Sequence, residues 1–155
     1  MAIKKKNGYI PKSYESASPS KDKFVALYKS MIVSEAYQAI NAKQRDLFNH
    51  CKLQVFSENL KEREEHPTAF TMNKYKWCTV YKLYTASNNR QFYRDIEALI
   101  SHGFIKCVTS GKVSKTKNVY ALSTKWRDYG TQSFKLSNDV KTWGMVEREK
   151  KLKSL

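Results

Sequence analysis

The chain lacks several features that mark common classes of protein. No part of its 155 residues is an apolar run long enough to span a membrane, and the start, Met-Ala-Ile-Lys-Lys-Lys, has no apolar core like that of a signal peptide. It has no glycine-rich phosphate loop, no nucleophile with a recognisable base partner, and no carboxylate cluster outside residues 57–67. These absences predict a soluble cytoplasmic protein that is not an enzyme, has no catalytic residues and needs no cofactor.

Cysteine is also scarce, and the three cysteines present are an odd number at wide spacings. This count argues against a disulfide framework and fits a reducing compartment. Cys51 shares a helical spacing with Leu47, and Cys107 alternates with Ile105, so we expect buried thiols that act as small apolar side chains. None of the three histidines pairs with a cysteine at the spacing of a zinc site, which predicts no metal ligands.

Acidic residues are few compared with basic ones. The 14 Asp and Glu residues accompany 29 Lys and Arg residues, which gives a formal net charge of +15 and a pI near 9.7. Lysine and arginine release the counterions condensed around phosphates, so this balance favours a polyanionic partner, with nucleic acid as the first candidate. Residues 67–130 hold 11 basic and 3 acidic residues, whereas residues 1–66 hold 12 and 8, so the excess concentrates in the later segment.

The chain divides into three parts by composition. With 41% apolar and 13% aromatic residues it can form a hydrophobic core. Residues 1–23 are rich in lysine and serine and predict a flexible basic arm. Residues 24–130 carry the patterns of a folded domain, and residues 131–155 form a C-terminal extension in which residues 140–153 can be helical. This extension could pair two chains, cover the domain or stay loose.

Two helices are predicted in the first part of the domain. Residues 42–56 have apolar side chains at helical spacing, with Gln54 largely away from that face, and follow a short helical turn over residues 34–40. The acidic residues 57–67 predict a solvated helix end followed by a loop, and residues 70–74 predict a short extended stretch. A second helix is indicated by apolar residues at i, i+3, i+4 and i+7: Trp77, Val80, Tyr81 and Tyr84.

A third helix and a hairpin complete the domain. Residues 89–102 carry one apolar stripe, and Gly103 is typical of a helix end. Strand formers then occupy residues 104–109 and 119–123, on either side of a polar loop. The expected fold is mainly α with a small β-wing, in the order helix, helix, turn, helix and hairpin.

The stretch from Asn88 to Val108, with its ending His-Gly-Phe-Ile, resembles the recognition helix and hairpin start of winged helix-turn-helix proteins. Together with Tyr120-Ala-Leu-Ser-Thr-Lys-Trp-Arg-Asp-Tyr-Gly130, it is similar to the DNA-binding proteins of plasmids, phages and integrative or conjugative elements of Gram-positive bacteria. The likeness covers residues 24–130. It implies a winged helix-turn-helix fold that binds double-stranded DNA at a specific site, as an accessory factor at an origin of replication or of conjugative transfer.

Several alternatives stay open. A transcriptional repressor would use the same contacts at a promoter, a protein-interaction module would dock its winged domain on a partner, and RNA could replace duplex DNA. The resemblance also leaves room for a relaxase, a replication initiator or another DNA-processing protein as a partner, without a membrane partner. A monomer would bind a short site, and a homodimer would bind two half-sites about one helical turn apart.

The third helix supplies the candidate base contacts. With Phe92 at the centre of the apolar stripe, a turn of about 100° per residue directs Arg90 and Arg94 outward. Arginine can bind guanine, and glutamine adenine, through paired hydrogen bonds that contribute roughly 1–3 kcal/mol of discrimination each. The predicted base-reading residues are Asn89, Arg90, Gln91 and Arg94.

Contacts to the DNA backbone are predicted at the helix start and in the loop of the hairpin. Lysines without acidic neighbours suit a loop that lies along a phosphate backbone or in a minor groove, although a solvated basic hairpin would look the same. The predicted backbone contacts are Ser87, Asn88, Lys112, Lys115 and Lys117.

Structural roles compete with these contacts at three positions. Gln91 lies three residues after Asn88 and would close a capping box. Arg94 would pair with the acidic residue one or three positions later. Tyr93 lies at the edge of the apolar stripe, where we expect core packing rather than a phosphate contact.

Overall fold

The protein is described by a computed structural model that covers residues 23–55, 57, 59–111, 116–136 and 140–155. The predicted basic arm, residues 1–23, lies outside this part of the chain except for Lys23. Phe24, where the folded domain is predicted to begin, is 87% exposed, and the first buried side chain in the described residues is Met31. Among the helices that can be described, none is both long and apolar enough to cross a membrane.

Three helices open the fold: α1 (Lys29–Ile32), α2 (Glu35–Ala39) and α3 (Ala42–Gln54). The hydroxyl of Ser34 accepts a hydrogen bond from the Tyr37 backbone N–H at 3.2 Å, and Asn41 and Gln44 form a reciprocal capping box at the start of α3. The predicted helical turn and first helix are thereby confirmed. The prediction for Gln54 is wrong, because this side chain is buried and its amide donates to the Tyr81 hydroxyl.

The segment between α3 and α4 contains short elements rather than a second regular helix. They are a 3₁₀ turn (Lys61–Arg63), strand β1 (Ala69–Phe70) and a π-helical turn (Tyr75–Val80). The predicted helix through Tyr84 is too long, because Lys82 adopts a φ of 51° and the chain reverses there. The Leu83 N–H then donates to the Trp77 carbonyl at 2.9 Å. This places the ring centroids of Trp77 and Tyr84 5.9 Å apart.

Helix α4 (Asn89–Ser101) confirms the third predicted helix. Gly103 follows it at a φ of 80°, the left-handed conformation that favours glycine after a helix. Strands β2 (Ile105–Thr109) and β3 (Val119–Leu122) then pair antiparallel, as the hairpin prediction requires. β1 joins the other edge of β3, so the sheet order is β1-β3-β2, and the extended stretch predicted over residues 70–74 is a shorter strand that begins one residue earlier.

The hydrophobic core lies between α3, the inner face of α4 and the sheet. Phe92, Ile96 and Leu99, which form the predicted stripe of α4, are all buried. The Trp77 ring stacks on Phe92 with the ring centroids 4.8 Å apart. Burial of each such large side chain contributes about 1.5–3 kcal/mol. Because this stripe is held inward, the opposite face of α4 is directed away from the core.

The C-terminal extension covers part of the domain. After a 3₁₀ turn (Lys125–Asp128), Val140 forms an isolated antiparallel bridge with Cys107, and Thr142 is buried. Helix α5 (Trp143–Lys153) follows, and its Met145 packs against the core although no residue of α5 is fully buried. The described residues therefore form a mixed α/β fold, with helices around one small three-stranded antiparallel sheet and α5 on its surface.

Candidate nucleic-acid interface

The start of α4 is exposed and holds most of the predicted contact residues. Its first residue, Asn89, follows Asn88, whose side chain makes no capping hydrogen bond. The side-chain amide of Gln91 donates to Asp95 Oδ1 at 3.0 Å instead of closing a capping box. The capping-box alternative for Gln91 is therefore wrong, and this side chain is held along the helix by Asp95.

Asp95 is a buried carboxylate at the base of these first turns. Its Oδ2 accepts a hydrogen bond from the Tyr84 hydroxyl at 2.7 Å, and its Oδ1 accepts from the Gln44 amide at 3.1 Å as well as from Gln91. Burial, and then the hydrogen bond to Asp95, raise the pKa of Tyr84, so the hydroxyl stays protonated and remains a donor. Because Gln44 belongs to α3, this network fixes the start of α4 against α3.

Arg90 and Arg94 lie one turn apart on the outward face of α4, and both are exposed. Neither acidic neighbour holds Arg94, because Asp95 belongs to the buried network and Glu97 contacts Arg148 of α5. Over the described part of the chain, no ion pair involves Arg90 or Arg94. Both guanidinium groups are therefore available to an anionic ligand.

A groove with a volume of about 890 Å³ lies beside this face, between α4, α5 and the described ends of the hairpin loop. Asn89, Arg90 and Arg94 line it from α4, and Lys117 lines it from the hairpin. We call it the α4–α5 groove. The other two hairpin lysines of the prediction, Lys112 and Lys115, lie outside the described residues.

Gln91 and Asn88 line a different cavity, with a volume of about 520 Å³, into which Lys43 and Asp95 also extend. This cavity and the α4–α5 groove flank α4 on different sides, because Asp95, which lines the cavity, is displaced by about 140° around the helix from Arg90, which lines the groove. Ser87 lines neither, and its hydroxyl lies 3.1 Å from that of Thr85. The structure thus separates Gln91 from the two arginines with which it is predicted to read bases.

Sequence reasoning missed the contribution of α5 to the groove. Trp143, Arg148 and Lys151 line the groove opposite α4, within one broad face of their helix. The amphipathic pattern of residues 140–153 predicts the helix, but its contact with α4 depends on residues far apart in the sequence. Tyr93 lines the groove as well; its ring meets Phe92 at 5.1 Å but is 44% exposed, so the expected core packing is only partial.

The cysteines are packing groups in this fold. Cys51 and Cys107 are buried free thiols, as predicted, and Cys78 is half-buried. Burial raises the pKa of Cys107 to about 11 and also raises that of Cys51, so both thiols stay protonated at neutral pH. No cluster of His, Cys, Asp and Glu in the described residues is arranged to hold a metal ion.

No protein family, curated protein or solved structure matches the chain in comparisons of its sequence and fold. The features of this chain that bear on function are therefore the two surfaces that flank α4 and the charges around them.

Proposed function

We propose that this protein binds double-stranded DNA at a specific sequence through a winged helix-turn-helix domain in which α4 is the recognition helix. The observation that carries this proposal is the exposed pair Arg90 and Arg94 on the outward face of α4, beside Lys117 in one groove. The order of α3, α4 and the β2–β3 hairpin supports the proposed fold, and the additional strand β1 is compatible with it.

The position of the two arginines suits base readout. A recognition helix contacts base edges with residues near its N-terminus, and Arg90 and Arg94 lie in the first two turns of α4. A guanidinium group can donate two parallel hydrogen bonds to O6 and N7 of guanine. Asn89 lies beside the arginines in the same groove, whereas Gln91, held by Asp95, keeps its carbonyl oxygen for a contact on the flank of the helix.

Phosphate contacts would supply most of the affinity. The first backbone N–H groups of α4 carry a partial positive charge next to Ser87 and Asn88, and such helix starts bind phosphate. Lys117 lies at one end of the hairpin loop, to which Lys112 and Lys115 also belong in the sequence. The net charge of +15 attracts DNA from a distance and adds to each of these contacts.

For the biological role we propose an accessory DNA-binding factor, without enzymatic activity, at an origin of replication or of conjugative transfer of a mobile element in the cytoplasm. The resemblance of residues 24–130 supports this role, and a transcriptional repressor would use the same contacts. Footprinting on DNA of the element that carries the gene separates these roles by where the site lies. Two half-sites about one helical turn apart would indicate a homodimer.

The proposal is tested by equilibrium binding to duplex DNA with and without the footprinted sequence. We expect the logarithm of the affinity to fall with the logarithm of salt concentration by about 0.9 per phosphate contacted. Arg90→Ala and Arg94→Ala should each reduce discrimination between the two duplexes by roughly 1–3 kcal/mol. Lys29→Ala with Lys61→Ala is the matched control, since it removes two positive charges that do not line the groove.

Three results would contradict parts of this proposal. The absence of binding to any duplex, or binding that does not depend on salt, would exclude a DNA-binding role. Unchanged discrimination in the Arg90 and Arg94 variants would remove α4 as the reading helix and favour a module that docks on protein. Stronger competition by duplex RNA than by duplex DNA would reassign the ligand.

A further inference from the structure

Two half-exposed aromatic side chains line the α4–α5 groove, one from each helix. Tyr93 of α4 is 44% exposed and Trp143 of α5 is 49% exposed. The other two tryptophans, Trp77 and Trp126, are buried in the core. Large aromatic rings that stay accessible inside a concave surface favour a ligand with flat faces, because stacking on them removes apolar area from water.

The walls of the same groove are strongly basic. Glu97 is contacted by Arg148, and Glu147 lies 3.4 Å from Lys150, so the acidic side chains at the groove are matched by cations. The remaining positive charge favours an anionic ligand, and aromatic rings alternating with basic side chains are the chemistry that binds unpaired nucleic acid. The basic side chains that line the groove are Lys74, Arg90, Arg94, Lys117, Arg148 and Lys151.

The packing of α5 on α4 limits what can enter the groove. A Cβ on Gly144 would collide with the Glu97 carboxylate, so α5 approaches closely at that point, and Arg148 contacts the same carboxylate. One α-helix, about 10–12 Å across with its side chains, already fills the roughly 12 Å width of a major groove. The two packed helices cannot enter it together, whereas a single strand needs no such width.

A duplex can still reach the first turns of α4. Glu97, where α5 is docked, lies about 12 Å along the helix axis from Asn89 at a rise of roughly 1.5 Å per residue. The first turns of α4 are therefore free to contact base pairs, while the part of the groove lined by Glu97, Gly144 and Arg148 stays outside the duplex. A strand that leaves the duplex at this point would pass between Tyr93 and Trp143.

We infer that the α4–α5 groove binds an unpaired DNA strand adjoining the duplex, with its bases stacked on Trp143 and Tyr93 and its phosphates near Lys74 and Lys151. This inference rests on the proposed function and deepens it, because it makes a duplex with a single-stranded segment, rather than a fully paired site, the preferred ligand. Such DNA exists where a duplex has been melted, or where a nicked strand has been displaced.

The test uses the full-length protein with three DNA ligands: a blunt duplex, the same duplex carrying an oligo(dT) tail, and oligo(dT) alone. We expect the tail to tighten binding by at least about fivefold, the effect of one stacked base. Trp143→Ala should lower the affinity for the tailed duplex more than for the blunt duplex. Tyr75→Ala is the matched control, because Tyr75 is exposed but does not line the groove, and it should change neither affinity.

Tryptophan emission provides a second readout that does not depend on affinity. Since Trp143 is the exposed tryptophan, oligo(dT) should quench emission from the wild-type protein but not from Trp143→Phe, whose phenyl ring still stacks and should retain the tail effect. Circular dichroism of the Trp143→Ala variant checks that α5 and the rest of the fold are retained.

The possible failures are distinguishable. Binding to blunt duplex with no tail effect would overturn the stacking site and leave the proposed function intact. A tail effect without any blunt-duplex binding would keep the stacking site and overturn duplex recognition by α4. An equal loss for both duplexes in Trp143→Ala would indicate a structural role for Trp143 and overturn the inference. A preference for an oligo(U) tail would overturn the assignment to DNA.

Discussion

Asp95 determines how the first turns of α4 are held. Its carboxylate is buried and accepts hydrogen bonds from Tyr84, Gln44 and Gln91. A buried charged or polar group is tolerated when its hydrogen-bonding capacity is used, and these three donors meet that condition. If the carboxylate were removed, the Tyr84 hydroxyl and the two amides would lose their common acceptor.

We expect Asp95→Ala to lower the free energy of unfolding by about 2–4 kcal/mol, because the buried Tyr84 hydroxyl is left without its acceptor and the link from Gln44 to α4 is lost. Asp95→Asn keeps one acceptor oxygen and should lose less. Urea denaturation measures both, with Asp46→Ala as the control. Asp46 is half-exposed, and its contact with His50 is a long one at 3.4 Å. Asp46→Ala should therefore lower the free energy of unfolding by less than about 0.5 kcal/mol. Similar losses at positions 95 and 46 would contradict a structural role for the network.

Around Asp95, some side-chain positions can be predicted from the sequence and others cannot. The burial of Phe92 and the exposure of Arg90 and Arg94 follow from helical periodicity alone, and the structure agrees with both. The burial of Asp95 does not follow from periodicity. Its partner Gln44 lies 51 residues earlier, and the contact exists only once α3 packs on α4.

At the scale of elements, the junction between α4 and the hairpin is tight. Gly103 and Gly130 have nearly the same φ, 80° and 81°, but different surroundings. A Cβ on Gly103 would lie 2.5 Å from the Trp126 backbone nitrogen, whereas a Cβ on Gly130 would meet only the end of the flexible Glu35 side chain. An alanine at position 130 would therefore have conformational strain alone, whereas an alanine at position 103 would have the same strain and a collision of its Cβ with the backbone at Trp126.

We expect Gly130→Ala to lower the free energy of unfolding by about 1–2 kcal/mol, the penalty for a left-handed alanine. Gly103→Ala should add a further loss of about 1–3 kcal/mol, because the hairpin must move away from the segment at Trp126. Chemical denaturation of the two variants under the same conditions gives the difference. If the two losses are the same, the packing at Gly103 does not contribute to stability.

The elements predicted well are those whose signals are local. α3 has apolar residues at helical spacing, α4 has its apolar stripe, and the β2–β3 hairpin has strand formers on either side of a polar loop. The helix predicted through Tyr84 fails because its spacing is satisfied in another way. The Trp77 carbonyl accepts the Leu83 N–H after a reversal at Lys82, and this reversal places the aromatic residues together without a continuous helix.

Only one wall of the candidate site can be predicted from local sequence patterns. The sequence pattern indicates the cations of α4 and Lys117, and the structure places them in one groove. The opposite wall comes from α5, whose docking depends on Glu97, Gly144 and Arg148. These contacts join positions about 50 residues apart in the chain and leave no periodic signal in either segment.

At the scale of the whole molecule, burial of ionisable groups makes the fold sensitive to alkali. Burial raises the pKa of Cys107 from its ordinary value of 9.0 to about 11. In the unfolded chain the buried thiols and phenols lose their protons at their ordinary pKa values. Ionisation therefore stabilises the unfolded state first as the pH rises. The free energy of unfolding therefore falls above about pH 9 and continues to fall up to the folded pKa. The buried groups with a raised pKa are Cys51, Cys107, Tyr84 and Tyr120.

The net charge of +15 opposes this loss, because lysines begin to lose their charge near pH 10.4 and the repulsion among them declines. At 1 M salt the screening length is about 3 Å, so repulsion is largely removed and the buried groups dominate. Under those conditions we expect the free energy of unfolding to fall by about 3–4 kcal/mol between roughly pH 8 and pH 10, most of it from the two buried thiols and the rest from Tyr84 and Tyr120. Cys107→Ala should lower stability at every pH through the cavity it leaves, but it should make the fall with pH about a third less steep. An unchanged slope in this variant would mean that Cys107 ionises as readily in the folded protein as in the unfolded chain.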